Sequence, residues 1–465
     1  MRCCVQRFLM PLAAVLLPSL GGCLSESADG GALATIPDVS ASDAAGQDAM
    51  PPDGETAGGG DAPPAGGSGG TGGAGGEVGG DAGSAGGATA DAGPTGGTGG
   101  EPDPLAADEQ AFQSALALYD AQQYEAALLA LEDFLAEYGA SIRADNASYL
   151  IARCLFELSR FDEARQRFAD FLTAYPDSSF VDDAQYYLPR CDYETGAFQA
   201  AADGFERFVA AQPDSTWVDN ARYYLARCDY ELGDFAGAQA ACDAVIALPA
   251  SAQRDGCLYW AARAADARGQ IEGPASPRFA EAERYLETLF ADYPDGIYED
   301  NGRYQYGMVA YHQENYRLAA ERLEAMRARF PASLYHDNAT YFAARAHYHL
   351  AAYPTAIAGF EALLAEHPES DFVDDGTYYL GRAHFELGLV TGDPLEFEAA
   401  IAAFDVVETD FPGGVYGDNA YYYELRAHIE LGRCDRALQT AEDLSAAYPG
   451  SSYNAMAQDR LATDC

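Results

Sequence analysis

From about residue 106 to the end of the chain, apolar residues recur at intervals of three and four, which is the spacing of amphipathic helices. Residues 218–249 show the layout most clearly, with one apolar stretch ending near Gly233 and a second running up to Pro249. The layout recurs, because equivalent prolines are 37 residues apart: Pro176 and Pro213, Pro294 and Pro331, Pro331 and Pro368, Pro412 and Pro449. Self-similarity at such a period predicts a solenoid of repeated helical hairpins.

Each repeat has a start signal and a stop signal. The stop is a proline, which cannot continue a helix, with Gly139 in its place in the first repeat. Two residues later stands a Ser or Gly, a type favoured at a helix N-cap, so we predict that the first helix of each pair, helix A, starts there. The second helix, helix B, follows the next turn and runs to the next proline. The sequence thus predicts nine helix pairs, beginning near residues 107, 141, 178, 215, 251, 296, 333, 370 and 414, and a capping helix from residue 451.

Small residues occupy one column on each helix of the pair, which predicts close helix crossings where no larger side chain fits. Helix B carries alanine at nine equivalent positions: Ala127, Ala164, Ala201, Ala238, Ala282, Ala319, Ala356, Ala400 and Ala437. Helix A carries a matching column: Cys154, Cys191, Cys228, Ala264, Val309, Ala346, Ala383 and Ala427. Two repeats are longer than the others, and we predict their extra residues, about 271–278 and 390–396, in the turns between helices A and B.

The alanine on helix B, the proline at each repeat end and the small positions on helix A resemble tetratricopeptide repeats. Residues 175–188 (YPDSSFVDDAQYYL) are further similar to the BamD family of outer-membrane lipoproteins and to the CpoB family of periplasmic proteins. The resemblance covers about residues 105–465. It implies an all-α fold, a right-handed tetratricopeptide superhelix of about nine hairpins with a C-terminal capping helix, whose concave face binds other proteins.

The resemblance also implies which helix A residues face the concave groove. In most repeats an Asn or Asp is followed by Tyr, Arg and Glu at successive helical turns. One interpretation is structural: Arg and Glu pair along the helix, and the Tyr residues pack repeat against repeat. The other is a peptide site, in which Asn amides hold a peptide backbone, Tyr rings supply contact area and Arg side chains bind carboxylates. Its candidate residues are Asn220, Tyr223, Arg227, Asn301, Tyr304, Asn338, Tyr341, Arg345, Tyr378 and Arg382.

Three residues interrupt this pattern in adjacent repeats. Met308 replaces the Arg, and His312 and His349 replace the Glu, so residues 296–367 are where a specific docking site is predicted if the array has one. His347, His384 and His428 share a different column, but stacked repeats place such residues roughly 10 Å apart, too far to share one metal ion. We therefore predict no metal site from that column.

The N-terminus has the pattern of an exported, lipid-anchored protein. Two arginines, an apolar run and the ending Leu20-Gly21-Gly22-Cys23 predict a signal peptide over residues 1–22. The ending resembles the lipobox of bacterial lipoproteins, which implies that Cys23 is the lipidated first residue of the mature chain. Residues 23–104 are mostly Gly, Ala, Asp, Thr, Ser and Pro, a composition that predicts a disordered tether ahead of a repeat domain over residues 105–465.

The net charge of the chain limits the kinds of molecule that it is expected to bind. The chain has 73 acidic residues and 27 basic residues, every basic residue is Arg, and the net charge is −46. Such a charge repels nucleic acid and anionic lipid headgroups, so we predict neither as a general partner of the surface. Partners are expected to be protein segments, cationic groups or neutral polymers, with the membrane reached only through the lipid.

The cysteines divide into two groups. Cys154, Cys191 and Cys228 lie in one small column, too widely spaced to pair, and are predicted to be free and buried. Cys242 with Cys257, across a repeat junction, and Cys434 with Cys465, at the capping helix, are two candidate disulfides in an oxidising compartment.

No catalytic signature is visible, and no cofactor is predicted. The sequence favours a scaffold or adaptor lipoprotein of the bacterial outer membrane that faces the periplasm, with the cell surface as the alternative side. The resemblance implies a role in outer-membrane protein assembly or in coordinating envelope growth and division. Two other functions stay open: a receptor for cell-wall polymer or secreted cargo, and a structural spacer.

Overall fold

The structure is a computed structural model that describes residues 104–465. The predicted signal peptide, the lipidation site Cys23 and the tether up to residue 103 lie outside the described residues. Within them the chain forms nineteen α-helices and no strand. The helices are α1 (Pro104–Asp120), α2 (Tyr124–Tyr138), α3 (Ala144–Glu157), α4 (Phe161–Ala174), α5 (Val181–Glu194), α6 (Phe198–Ala211), α7 (Val218–Glu231), α8 (Phe235–Ile246), α9 (Arg254–Glu272), α10 (Arg278–Asp292), α11 (Glu299–His312), α12 (Tyr316–Arg329), α13 (His336–His349), α14 (Tyr353–Glu366), α15 (Val373–Thr391), α16 (Pro394–Asp410), α17 (Gly417–Glu430), α18 (Cys434–Ala447) and α19 (Tyr453–Asp464).

The helices form nine consecutive hairpins and a final single helix, which confirms the predicted α-solenoid. Each helix from α1 to α18 packs against the next one in sequence, and the A helices of neighbouring repeats touch, as α5 touches α7 and α11 touches α13. The last helix, α19, packs on both α17 and α18 and so covers the end of the array, as expected of a cap.

The small columns lie at the centre of this stack. All nine alanines of the B helices are 0–1 % exposed, and the matching small residues of the A helices, from Cys154 to Ala427, are 0 % exposed. Larger side chains, such as Phe168, Phe205 and Phe404, fill the space beside them and are fully buried. Interiors of this density leave no room for an added methylene, which is why these columns accept only small residues.

The A helices from α3 to α17 begin three residues later than predicted. Ser178, for example, does not cap a helix, because α5 begins at Val181 and its N-cap residue, Phe180, makes no side-chain capping bond. Instead the Ser178 hydroxyl accepts the backbone N–H of Phe180 (3.3 Å) and its carbonyl accepts that of Val181 (3.3 Å). The Ser therefore begins a tight turn before the helix, a use of Ser that competes with helix capping.

The two long repeats also differ from the prediction. Their extra length mostly prolongs the A helix, since α9 and α15 have 19 residues each, whereas α7 has 14. Gly392, with φ of 71°, ends α15 in the left-handed conformation that glycine tolerates. Among the helices of the described part, none is both long and apolar enough to cross a membrane.

Candidate functional site: the helix A face and the repeat junctions

The predicted groove tyrosines lie inside the stack. Tyr341 and Tyr378 are 1 % exposed, Tyr223 is 3 % exposed and Tyr304 is 8 % exposed. Tyr304, Tyr341 and Tyr378 each face an aromatic residue from the turn that begins the next repeat. The Tyr223 hydroxyl instead shares a hydrogen bond of 2.8 Å with the hydroxyl of Tyr298. The ring of Tyr378 stacks on that of Tyr416, with centroids 4.3 Å apart and planes 5° from parallel. These rings therefore join repeat to repeat, and their faces are covered.

This aromatic stack recurs at seven junctions, although the sequence analysis did not single out the turn residues that complete it. The pairs are Tyr149 with Phe180, Tyr186 with Trp217, Tyr259 with Tyr298, Tyr304 with Tyr335, Tyr341 with Phe372, Tyr378 with Tyr416, and Tyr422 with Tyr453. The signal was present in the sequence as an aromatic residue two positions after the Ser or Gly of a turn. Stacked pairs add about 0.5–1.5 kcal/mol each beyond the area that they bury.

The arginines of the predicted groove also lie between repeats. The guanidinium of Arg190 lies 3.6 Å from the centroid of the Tyr224 ring in the next repeat, and that of Arg382 lies 3.9 Å from Tyr423. Arg382 also donates hydrogen bonds to the hydroxyls of Tyr348 (2.7 Å) and Tyr378 (3.0 Å). Burial opposes its charge, but the surrounding Tyr residues outweigh that effect and raise the pKa of Arg382 above its ordinary value.

Arg345 and Arg227 follow the same pattern. Arg345 is 5 % exposed and donates to the Tyr379 hydroxyl at 3.0 Å, and Arg227 is 7 % exposed with its guanidinium 5.3 Å from the Trp260 ring. A flat guanidinium with a weak hydration shell suits such a site, whereas the compact ammonium of Lys does not. The chain contains no Lys at all.

The predicted Arg–Glu pairs along helix A are present. Arg153 bonds Glu157 at 3.0 Å, Arg190 bonds Glu194 at 2.9 Å, and Arg382 bonds Glu386 at 3.5 Å. Together with the buried rings, these pairs favour the structural interpretation for the Tyr and Arg columns. Most of the surface of these rings and guanidinium groups is covered by neighbouring repeats.

The asparagines are placed differently. Asn220, Asn301 and Asn338 are half-buried, and none of their side-chain amides makes a hydrogen bond to another described residue. Asn419, in the same column, instead donates to the Tyr453 hydroxyl at 3.1 Å. Asp183 accepts a hydrogen bond from the Trp217 indole at 2.8 Å. Some members of this column therefore brace the aromatic stack, while the three free amides are available to a ligand.

The repeats that depart from the pattern make contacts of their own. His312 replaces a Glu, and its Nδ1 lies 3.0 Å from a carboxylate oxygen of Asp266, which is 2 % exposed. Gln305 and Gln270 also donate to Asp266, at 2.8 Å and 3.2 Å. His349 stacks on Tyr316 with ring centroids 4.3 Å apart. The substituted side chains thus join neighbouring repeats through local polar contacts.

A second link between repeats was missed by the sequence analysis. The Ser hydroxyl in the turn donates to an Asp near the start of the preceding A helix, always 33 residues earlier. The six bonds, of 2.6–2.9 Å, are Ser141 to Asp108, Ser178 to Asp145, Ser215 to Asp182, Ser333 to Asp300, Ser370 to Asp337 and Ser451 to Asp418. The constant spacing of Asp and Ser is the signal that could have revealed this link.

The cysteines fall as follows. Cys154, Cys191 and Cys228 are free and 0 % exposed, as predicted, and burial raises the pKa of each thiol to about 12. The structure joins Cys434 at the start of α18 to Cys465, the last residue, by a disulfide. The other candidate pair, Cys242 with Cys257, is not joined by a disulfide: both thiols are free and fully buried. Burial, followed by a hydrogen bond with Cys242, raises the pKa of Cys257.

The three histidines of the shared column each contact a different carboxylate. His347 bonds Glu324 at 2.7 Å, His384 bonds Glu396 at 2.7 Å, and His428 bonds Glu424 at 3.1 Å. Each imidazole thus has its own carboxylate.

Near α17 three carboxyl groups lie together, with oxygens of Asp405, Glu408 and Glu424 all within 4.8 Å of one another. Glu424 is 8 % exposed and stands in a helix A column that other repeats fill with leucine, such as Leu188 and Leu380. Burial, and then repulsion from Glu424, raises the pKa of Glu408 to about 10. The cluster therefore favours the protonated form of Glu408.

Comparison with known families agrees with the repeat architecture. Residues 299–463 match the model of the family YfiO, described as an outer membrane lipoprotein, and residues 112–179 and 220–251 match two tetratricopeptide repeat families. A search of the curated proteins finds no match.

Among solved structures, a tetratricopeptide repeat protein from Parabacteroides merdae is 12 % identical, with a TM-score of 0.42 over 58 % of this chain and 97 % of that one. The C-terminal part of a repeat protein from Cytophaga hutchinsonii is 16 % identical, with a TM-score of 0.44 over 57 % and 98 %. The apo form of RapI is 11 % identical, with a TM-score of 0.47 over 77 % and 98 %. These likenesses concern the helical-repeat architecture alone.

Proposed function

Because the chain is a tetratricopeptide repeat protein whose residues 299–463 match an outer membrane lipoprotein family, we propose that it is a scaffold of the bacterial cell envelope. In this proposal Cys23 carries the lipid that holds the protein to the outer membrane, on the periplasmic side. The repeat array binds segments of other envelope proteins and takes part in outer-membrane protein assembly or in coordinating envelope growth. It acts by binding and not by catalysis.

The proposed ligand is an extended protein segment held by the free asparagine amides. An Asn amide offers both a donor and an acceptor, which matches the two polar groups of a peptide unit. Neighbouring A helices lie roughly 10 Å apart, and an extended peptide rises about 3.3 Å per residue. Asn301 and Asn338, in adjacent repeats, therefore suit peptide units about three residues apart.

Charge supports the same class of ligand. Residues 104–465 contain 60 acidic residues and 25 Arg. Arg153, Arg190, Arg227, Arg263 and Arg345 are among the arginines buried between repeats, so the accessible surface is more acidic than this count implies. Complementary potentials speed association and reject partners of like charge. A segment with neutral or basic side chains is the expected partner.

One observation carries the proposal: the family match covers the stretch that contains Asn301 and Asn338, whose amides the fold leaves without a partner among residues 104–465. In this proposal the Tyr and Arg columns hold the repeats together, and Asn301 and Asn338 bind the ligand.

Affinity purification of the full chain from detergent-solubilised envelopes tests this function. We expect specific envelope proteins to be retained, and we expect the double variant Asn301→Ala, Asn338→Ala to lose them. Gln199→Ala is the matched control, because Gln199 is an exposed amide that bonds only Asp203 on its own helix. Retention of the same proteins by the double variant at the control level contradicts the proposed site. Retention on isolated cell wall, with no protein partner, contradicts the proposed function.

A further inference from the structure

Two histidines that the repeat pattern does not require meet at one edge of the seventh hairpin. His336 is the first residue of α13, and His367 follows the last residue of α14. The Nδ1 atom of His336 lies 2.9 Å from the Nε2 atom of His367, and the two ring centroids are 5.0 Å apart. Both side chains are partly exposed, so the pair is open to solvent.

No other hairpin from α3 onward has a histidine at either of these positions. The first is three residues after the Ser or Gly of the turn, and the second directly precedes the proline that ends the repeat. The other hairpins place there Ala144 and Tyr175, Val181 and Gln212, Val218 and Leu248, Arg254 and Tyr293, Glu299 and Phe330, Val373 and Phe411, and Gly417 and Tyr448. Repeat stacking is thus achieved without this pair, and its presence calls for another explanation.

The surroundings keep the imidazole lone pairs available. Burial, followed by the charges of Arg327 and His367, lowers the pKa of His336, while Glu366 and Asp337 act in the opposite direction. Imidazole binds metals in its neutral state. Arg327 opposes a cation at this place, and the two nearby carboxylates offset it.

We propose that His336 and His367 chelate a divalent late first-row transition metal ion, of the class Cu²⁺, Ni²⁺ or Zn²⁺. Metal–imidazole bonds are about 2.0–2.1 Å long. Two such bonds to nitrogens 2.9 Å apart enclose an angle of about 90° at the metal. Both rings must turn so that their lone pairs point at the ion, and the shared proton moves to the other nitrogen of its own ring, so that both imidazoles stay neutral. This is the angle between neighbouring ligands in the tetragonal sites of Cu²⁺ and Ni²⁺, and imidazole suits both ions.

The other histidines of the array are placed differently. His347, His384 and His428 each bond a single carboxylate, and His312 bonds Asp266. His349 stacks on Tyr316. Only His336 and His367, among the described residues, place two imidazole nitrogens within reach of one ion. The remaining coordination positions face solvent and are filled by water or by an outside ligand.

The test is titration of the purified full chain with Ni²⁺ and Cu²⁺, followed by calorimetry and, for Cu²⁺, by electron paramagnetic resonance. We expect one site whose spectrum shows coupling to two imidazole nitrogens. His336→Gln and His367→Gln should each weaken binding by about ten-fold or more, because losing an outer-shell partner alone costs that much. His347→Gln is the matched control, since it removes an imidazole that is already bonded to Glu324.

The rise in Tm on adding metal gives a second readout. For each protein, the Tm with metal is compared with the Tm of the same protein in the presence of a chelator. This difference separates loss of the metal from any change in the fold caused by the substitution. Unchanged affinity in both His336→Gln and His367→Gln overturns the proposal. Equal weakening by the His347→Gln control overturns it as well, because binding is then not specific to the pair.

Discussion

At the residue scale, the arginines of helix A show how context decides the role of a charged side chain. Arg153, Arg190 and Arg382 each lie over an aromatic ring of the next repeat, and each also bonds a glutamate one helical turn away. Aromatic faces and a carboxylate together accept a buried guanidinium, which an apolar core without partners does not. These residues hold the array together.

Arg382→Lys tests that role. We expect the free energy of unfolding to fall by about 1–3 kcal/mol, because an ammonium cannot stack on Tyr423 while donating to both Tyr348 and Tyr378. Chemical denaturation measures the change. Arg207→Lys is the control, since Arg207 is exposed and donates only to the Asp203 carbonyl. Equal stability of the two variants contradicts the structural role of Arg382.

The buried carboxyl pair near α17 gives a pH prediction. The pKa of Glu408 is raised to about 10 in the folded protein, so folding favours its protonated form. Its contribution to stability is fully present below the pKa of the unfolded chain, near 4.5, and is lost as the pH rises toward about 10. We expect the Tm of the wild type to fall from pH 5 to pH 9 more steeply than that of Glu408→Gln, which cannot ionise. Glu361→Gln, at an exposed position, should keep the wild-type slope. Parallel curves for all three proteins contradict this prediction.

At the scale of the helix and its turns, the repeats are joined by the same few contacts used many times. A Ser hydroxyl bonds an Asp of the preceding repeat, and an aromatic residue two positions later stacks on a Tyr of that repeat. Both contacts originate in one short turn, so the turn sets how successive hairpins meet. In a solenoid, stability is close to a sum of repeat terms and of such neighbour terms.

At the junction before α17, Gly414 stands where most other turns have Ser. A serine substituted at this position can test the hydrogen bond from the turn Ser to an Asp of the preceding repeat. A Cβ at Gly414 would lie 3.8 Å from the Oδ2 atom of Asp374, the acidic residue at the equivalent position of the preceding repeat. We expect Gly414→Ser to raise the free energy of unfolding by about 0.5–1.5 kcal/mol, the net worth of one hydrogen bond. Gly414→Ala, which adds the Cβ without the hydroxyl, is the control. If Ser is no more stabilising than Ala, the turn does not accept the link.

At the scale of the whole molecule, the proposed function requires that a lipid on Cys23 attach the repeat array to the membrane. We expect the wild type to fractionate with the outer membrane and Cys23→Ser to appear in the soluble periplasmic fraction, because in the proposed function the lipid on Cys23 is what holds the protein to the membrane. Fractionation and the mass of the N-terminal peptide measure the result. Variants of Cys434, far along the sequence from the anchor, should stay in the membrane fraction. Membrane retention of Cys23→Ser contradicts lipidation at that residue.

The number and order of the helices were predictable from the sequence, because proline, glycine and a repeated alanine column act locally and recur with a constant period. The nine hairpins, the cap and the burial of Cys154, Cys191 and Cys228 follow from that pattern and are confirmed. Helix starts were not predictable in detail, because the turn Ser uses its hydroxyl to reach Asp in the preceding repeat.

Tertiary structure alone decided which side chains of helix A are free. The sequence places three residues, Asn338, Tyr341 and Arg345, on one face of the same helix. It gives no reason to prefer one of them over the others as a groove residue. Only the stacking of the next repeat covers the ring and the guanidinium while leaving the amide open. The same holds for His336 and His367, since residues 31 positions apart meet only when α13 and α14 fold against each other.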